Sequence, residues 1–189
     1  MLMKTERKPQ SDQSKLNFLF IIILLNLLTS CSVTNVQKGV SLSSSERWII
    51  LPFQNYSQTP RAGEQAEEIL ATLLRIQGLP NIEMYQQQDD EKSEWPELND
   101  RKYQKNTLEL ASKENISYAV TGSIDEWQYK LGVGSEPAVG LTIRIIEVPS
   151  GKVVWSASGA RSGWSTESLT GTAQKLLKNL ISDLNITKI

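Results

Sequence analysis

The chain has 189 residues, with 20 Lys and Arg against 21 Asp and Glu, a formal net charge of -1, no histidine and a single cysteine. Without histidine there is no Ser-His-Asp or Cys-His nucleophile, no His-ligated zinc or haem and no imidazole switch near neutral pH. One cysteine permits neither an internal disulfide nor a CxxC motif, and 39% apolar with 22% charged residues suits one globular domain after a targeting segment is set aside.

Lys4, Arg7, Lys8 and Lys15 precede an apolar run from Leu16 to Leu28, interrupted by Asn17 and Asn26 and followed by Thr29-Ser30-Cys31. At ~1.5 Å per residue this run is too short to cross a ~30 Å hydrocarbon core, and it reads as a cleavable signal peptide over residues 1–30. Small residues directly before the cysteine resemble the lipobox of bacterial lipoproteins, which implies cleavage before Cys31 and lipid attachment at its sulfur. Two or three acyl chains, each burying about 0.8 kcal/mol per CH₂, make a stable anchor. Ser32 follows, where Asp commonly signals inner-membrane retention, so the expected location is the outer membrane, periplasmic face. From Cys31 onward 16 Lys and Arg stand against 19 Asp and Glu, a net charge of -3.

Ser32 to Glu46, rich in serine and poor in large apolar residues, is expected to be a flexible tether. The domain, residues 47–189, opens with a buried strand from Arg47 to Phe53 and a polar turn. A helix follows, with Pro60 in its first turn, acids at Glu64, Glu67 and Glu68, and an apolar stripe of Ala62, Ala66, Ile69, Leu70, Leu73 and Ile76 ending at Gly78. A short strand is expected from Leu79 to Tyr85, an exposed loop from Gln86 to Asp100, and a second helix from Arg101 to Lys113 capped by Asn115. A strand from Ile116 to Tyr129 precedes a hairpin: Val139 to Val148 alternates, Pro149-Ser150-Gly151 turns, and Lys152 to Ser158 returns. The last helix, capped by Ser165, carries Leu169, Ala173, Leu176, Leu177, Leu180, Ile181 and Leu184 on one face. The order β-α-β-α-β-β-β-α implies an α/β fold with a mixed sheet.

The stretch RWIILPFQNYSQTPRAGEQAEEILATLLRIQGLPNIEMY, with the region from Tyr118 to Leu177, resembles the PelC family, outer-membrane lipoproteins of the Pel exopolysaccharide export system. The LPF strand, polar turn and helix are also similar to the wider group of CsgG-type and LpoB-type lipoproteins. The nine-residue connection KLGVGSEPA is too short for the long amphipathic hairpins of a transmembrane secretion barrel. The PelC resemblance implies a homo-oligomeric ring, a dodecamer, below an export porin with a periplasmic, PelB-like scaffold. Its negative interior is expected to guide a cationic polysaccharide; twelve copies at -3 carry about -36, a field that a concave surface focuses.

Trp155 alternates with Val153 and reads as core. Trp164, in the small-residue segment GARSGWS, resembles the family's aromatic on the membrane-facing rim, with Arg161 beside it as a candidate for lipid phosphate. Trp127 and Tyr129 are ambiguous from alternation alone. Asp125, Glu126, Trp127 and Glu136 are the candidate polymer-binding set, since carboxylates attract ammonium groups and rings stack on sugars or cations; a solvated strand edge is the alternative. Asp89, Asp90, Glu91 and Glu94 form the densest acidic run, read as a solvated loop without calcium-loop spacing. Gly132 and Gly134 read as turn glycines. No cofactor, metal, nucleic-acid partner or enzymatic activity is expected: carboxylate pairs among 19 acids have no specificity for glycoside cleavage. The competing function is a regulatory lipoprotein that binds and activates a cell-wall synthase; a subunit of another secretion ring is a third.

Overall fold

The computed structural model describes residues 17–18, 32–85, 106–131 and 134–187. The chain divides into two units, Met1–Cys31 and Ser32–Ile189; Cys31, Gly132 and the acidic run Asp89, Asp90, Glu91 and Glu94 lie outside the described residues. The second unit is an α/β fold with a mixed sheet of seven strands: β1 (Ser32–Val36), β8 (Lys152–Ser162), β7 (Pro137–Glu147), β6 (Tyr118–Tyr129), β3 (Trp48–Ile50) and β5 (Glu83–Met84) in spatial order, with β4 (Gln54–Asn55) beside β6. Strands β1, β8, β7 and β6 run antiparallel, whereas β3 pairs in parallel with β6 and β5. A separate pair, β2 (Ser41–Ser43) with β9 (Asn185–Thr187), is parallel.

Helices α1 (Ala62–Gln77) and α3 (Leu169–Ile181) cover one face of the sheet. Ala62, Gly63, Ala66, Leu70, Ala71 and Leu74 bury the inner stripe of α1, and its small residues allow a close approach: a Cβ on Gly63 would stand 3.0 Å from the carbonyl oxygen of Phe53. The sheet makes the reciprocal concession at Gly122, where an added Cβ would come within 2.6 Å of the Phe53 ring. Gly78, at φ 119, ends α1 in the left-handed region, and the Leu79 amide donates back to the Leu74 carbonyl at 3.0 Å. Arg61 precedes α1 with no side-chain cap and pairs with Glu64 at 2.6 Å; Pro60 lies just outside the helix.

The third helix, α2 (106–113), lies on the other face, where Ala111 joins Ile49, Leu51, Ile116, Ala119 and Val148. Asn115 closes it at φ 57, as its expected role as cap requires. Among the described residues that cover stops at the β3–β6 side. Toward β8 the same face presents small side chains, with Ser158 and Ala160 exposed and the Thr142 hydroxyl donating to Ser158 at 3.1 Å.

The supposed tether is ordered chain. Residues 32–36 form β1, Leu42 enters the core from β2, and the Trp48 indole N–H donates to the Ser43 carbonyl at 2.9 Å. β1 has no apolar alternation because backbone pairing with β8, and not side-chain burial, holds it. Two further readings are corrected. Ser168, and not Ser165, caps α3 by accepting from the Gly171 amide at 3.0 Å, because residues 164–167 make a turn first, closed by the Glu167 amide on the Trp164 carbonyl at 2.8 Å. Ile76 belongs to the outside of α1 and is 78% exposed.

Candidate functional site

At one end of the sheet meet the start of β1, the end of β8 with its following turn, and the β6–β7 connection. Ser32 pairs with Arg161, and Ser162 with Ala138. The Lys130 Nζ lies 3.4 Å from the Ser162 hydroxyl, and a Cβ on Gly134 would stand 3.2 Å from Ser165. Trp164 and Tyr129 are each 47% exposed at this end, and Leu131 is fully exposed. The Tyr129 hydroxyl accepts from the Leu169 amide at 3.0 Å, satisfying one open donor of the first turn of α3.

Arg161 does not reach outward. Its side chain is 14% exposed on the helix side, with Nη2 3.7 Å from Glu167 Oε1, which also lies 2.9 Å from Lys175 Nζ. The Thr172 hydroxyl donates to Glu167 Oε2 at 3.3 Å. The Lys175 hydrogen bond is the main reason that the Glu167 carboxyl titrates below its ordinary value, against a desolvation penalty, with Arg161 and Thr172 adding to the effect. The expectation of Arg161 as a free ligand for lipid phosphate is therefore corrected: it helps clamp the turn 163–168 onto α3. Gly163 permits that packing, since a Cβ there would come within 2.5 Å of the Thr172 hydroxyl.

The acidic candidates occupy the same third of the β6–β7 hairpin. Asp125 is the extra residue of a β-bulge between Ile124 and Glu126. It is exposed, while Glu126 faces the bare side of the sheet opposite Gly140, accepting from Gln128 Nε2 at 3.3 Å and standing 3.7 Å from Lys130 Nζ. Glu136 is exposed, and its carbonyl accepts from the Lys130 amide at 2.8 Å. The bulge also corrects the reading of Trp127. One inserted residue shifts the alternation, so Ile124 and Trp127 both point under the helices, and Trp127 is 1% exposed and closed to a sugar. Trp155 is core as expected.

Two features escaped the sequence. Ile76, Ile69 and Leu73 of α1 and Gln174, Lys175 and Lys178 of α3 line an open cleft of about 520 Å³. Glu67, half-buried in α1, accepts from the Phe53 amide at 2.8 Å. Burial pushes its carboxyl up to about 7, the Phe53 hydrogen bond opposing and the charges of Glu64 and Glu68 reinforcing the shift. Among the described residues no group of three or more His, Cys, Asp or Glu is placed to hold a metal ion, and no helix is long and apolar enough to cross a membrane.

The sheet end with its exposed Tyr129, Leu131 and Trp164, the sheet face around Ser158 and Ala160 and the helix cleft are the main surfaces that the described residues of this α/β module present. Two crystal structures of the PelC dodecamer from Paraburkholderia phytofirmans, one of them of a variant with a single leucine-to-methionine change, match this fold at a TM-score of 0.70 and 32% sequence identity, over 83% of this chain and 99% to 100% of theirs. The chain belongs to the PelC family. More distant in fold are the lipoprotein GNA1162 from Neisseria meningitidis, at 14% identity and TM-score 0.47 over 75% of this chain and 96% of that one, and the LpoB C-terminal domain from Salmonella enterica, at 19% and 0.42 over 65% and 84%. No family model matches the chain, and no curated protein matches it.

Proposed function

We propose that this protein is the ring-forming, non-catalytic lipoprotein of a Pel-type exopolysaccharide export apparatus. It is exported under residues 1–30, lipidated at Cys31 and held on the periplasmic face of the outer membrane. There a ring of copies, twelve by likeness to its relative, gathers a cationic polymer electrostatically and delivers it to a PelB-like export porin. The observation that carries this reading is the 32% identity spanning 99% of a relative crystallised as a dodecamer.

A closed ring needs head-to-tail contacts between two different surfaces of each copy. The cleft between α1 and α3 and the exposed face around Ser158 and Ala160 are two such different surfaces, on opposite sides of the sheet. β1 builds the chain into the sheet from Ser32 on, which suits a protein held against its membrane better than an activator reaching across the periplasm. Asp125, Glu126 and Glu136 are the acids proposed to meet polymer, and Trp164 the side chain proposed to meet lipid.

Reversing the three acids together to lysine (Asp125→Lys, Glu126→Lys, Glu136→Lys) tests the electrostatic step. The expected result is loss of polymer export with the oligomer mass unchanged; undiminished export by a correctly assembled variant would refute it.

A further inference from the structure

We infer that a second copy of this chain occupies the cleft between α1 and α3, seating Leu110 of its α2 over the apolar floor, with Glu109 above Lys178 and Lys113 above Glu68. The inference rests on the ring proposed above and adds to it the two surfaces that meet.

The cleft has an apolar floor and walls of opposite charge. Ile69 and Leu73 are half-buried there, and Ile76 is 78% exposed. Glu68 stands on the α1 wall, Lys175 and Lys178 on the α3 wall. Lys175 is already paired with Glu167 at 2.9 Å, whereas among the described residues neither Glu68 nor Lys178 has an ion-pair partner.

On the other face of the sheet, α2 buries Thr107 and Ala111 and turns Asn106, Glu109, Leu110 and Lys113 outward. Residues three and four apart share a helix face, so these four form one strip. Leu110 is 43% exposed at its centre. Glu109 and Lys113, four residues apart, do not pair with each other, and among the described residues neither has another ion-pair partner. The strip is therefore an apolar knob beside one free acid and one free base, the counterpart of the cleft.

The spacing agrees with a crossed arrangement. Four residues of helix rise ~6 Å, and packed helices lie about 8–10 Å apart; the long side chains of Lys178 and Glu68 span the difference. With α2 lying across the cleft, one direction sets both pairs of opposite charges together. The reverse direction sets Glu109 above Glu68 and Lys113 above Lys178, so like-charge repulsion selects the first.

The two surfaces belong to opposite faces of one sheet. A contact between them leaves each end of a pair with one free cleft or one free α2, so it propagates head to tail until it closes. Cleft against cleft would leave Leu110 of both copies in water. One helix strip is smaller than the about 800 Å² per partner of a standard interface. In a closed ring each copy is held by two such contacts, and attachment to a common membrane raises their effective concentration.

The test uses the full-length lipoprotein in mild detergent, with Ile76→Cys and Leu110→Cys at two exposed positions and a short bis-maleimide as crosslinker; the wild type shows what Cys31 contributes. The expected result is dimers from a mixture of the two single variants and a ladder from the chain that carries both, with each single variant alone giving no more than the wild type. Glu109→Lys should raise the concentration of half-assembly at least ~10-fold by light scattering, and adding Lys178→Glu should return it to within ~3-fold of the wild type. Circular dichroism checks that the charge variants fold, and the crosslinks decide alone if they do not. Dimers from Ile76→Cys alone, or a wild-type ring that gives no crosslink between 76 and 110, overturn the inference and leave the ring standing. Crosslinking of position 110 on intact membranes to a different protein and not to 76 overturns it too. A wild type that is monomeric both in detergent and on membranes overturns the inference and the ring together.

Discussion

Ser32 lies opposite Arg161 in the β1–β8 ladder, so the residue that follows Cys31 is already built into the sheet. The consequence is mechanical: a lipid on Cys31, as proposed above, would be followed by an edge strand with no spacer after residue 32. In hydrogen–deuterium exchange on the full-length protein, amides bonded within β1–β8 should exchange at least ~10-fold more slowly than free chain. Exchange of every amide in 32–36 at the rate of free chain would show that the strand is not formed.

Glu67 makes stability depend on pH in a definite direction. Its carboxyl holds a proton up to about 7 in the folded protein, against an ordinary value of 4.5. Between those values the native state binds more protons than the unfolded one, so stability falls as pH rises through that window. Glu67→Gln keeps an oxygen to accept from Phe53 and removes the charge. At pH 8 it should be more stable by about 1–2 kcal/mol, with the pH 5 to 8 decline in Tm flattened, as read by calorimetry. An unchanged slope would show that Glu67 is ionised without cost.

Glu167 behaves in the opposite sense. Its carboxyl is held below the ordinary range chiefly by Lys175, so its contribution is present at neutral pH and is lost as pH falls through the depressed value. Glu167→Gln leaves the mostly buried Arg161 without its counter-ion. A loss of about 1–3 kcal/mol at pH 7 is expected, shrinking toward zero in acid. Denaturant titration followed from pH 7 down through the acid range separates this from a packing defect, which would cost the same throughout.

Ile76 tests the proposed ring contact. It is exposed near the C-terminal end of α1, so Ile76→Lys suits the helix dipole and leaves the core untouched. Beside Lys175 and Lys178 it places a third positive charge on an apolar cleft. The expected outcome is an unchanged monomer Tm with a smaller oligomer by light scattering; a full-sized oligomer would place the contact elsewhere.

The order of helices and strands was legible because the apolar periodicities of Ile143 to Ile145, Leu70 to Leu74 and Leu176 to Leu180 reflect burial directly. The Pro149-Ser150-Gly151 turn was legible for a local reason: Gly151 takes φ 66, and its amide donates to the Glu147 carbonyl at 2.8 Å. What alternation cannot reveal is a changed register. The bulge at Asp125 carries no composition signal, and it alone turns Trp127 from a candidate sugar platform into core. β1 was hidden because its bonds are backbone bonds, and Arg161 because its partner Glu167 lies beyond a turn. Leu131 stands in a connection, where periodicity has no meaning.

The most direct measurement is the mass of the full-length lipoprotein extracted in mild detergent, by light scattering corrected for bound detergent, with chemical crosslinking on intact membranes beside it. An assembly of about twelve copies is expected, reached as one closed species at rising concentration. A monomer in detergent that also gives no crosslinked ladder on the membrane would contradict the export ring.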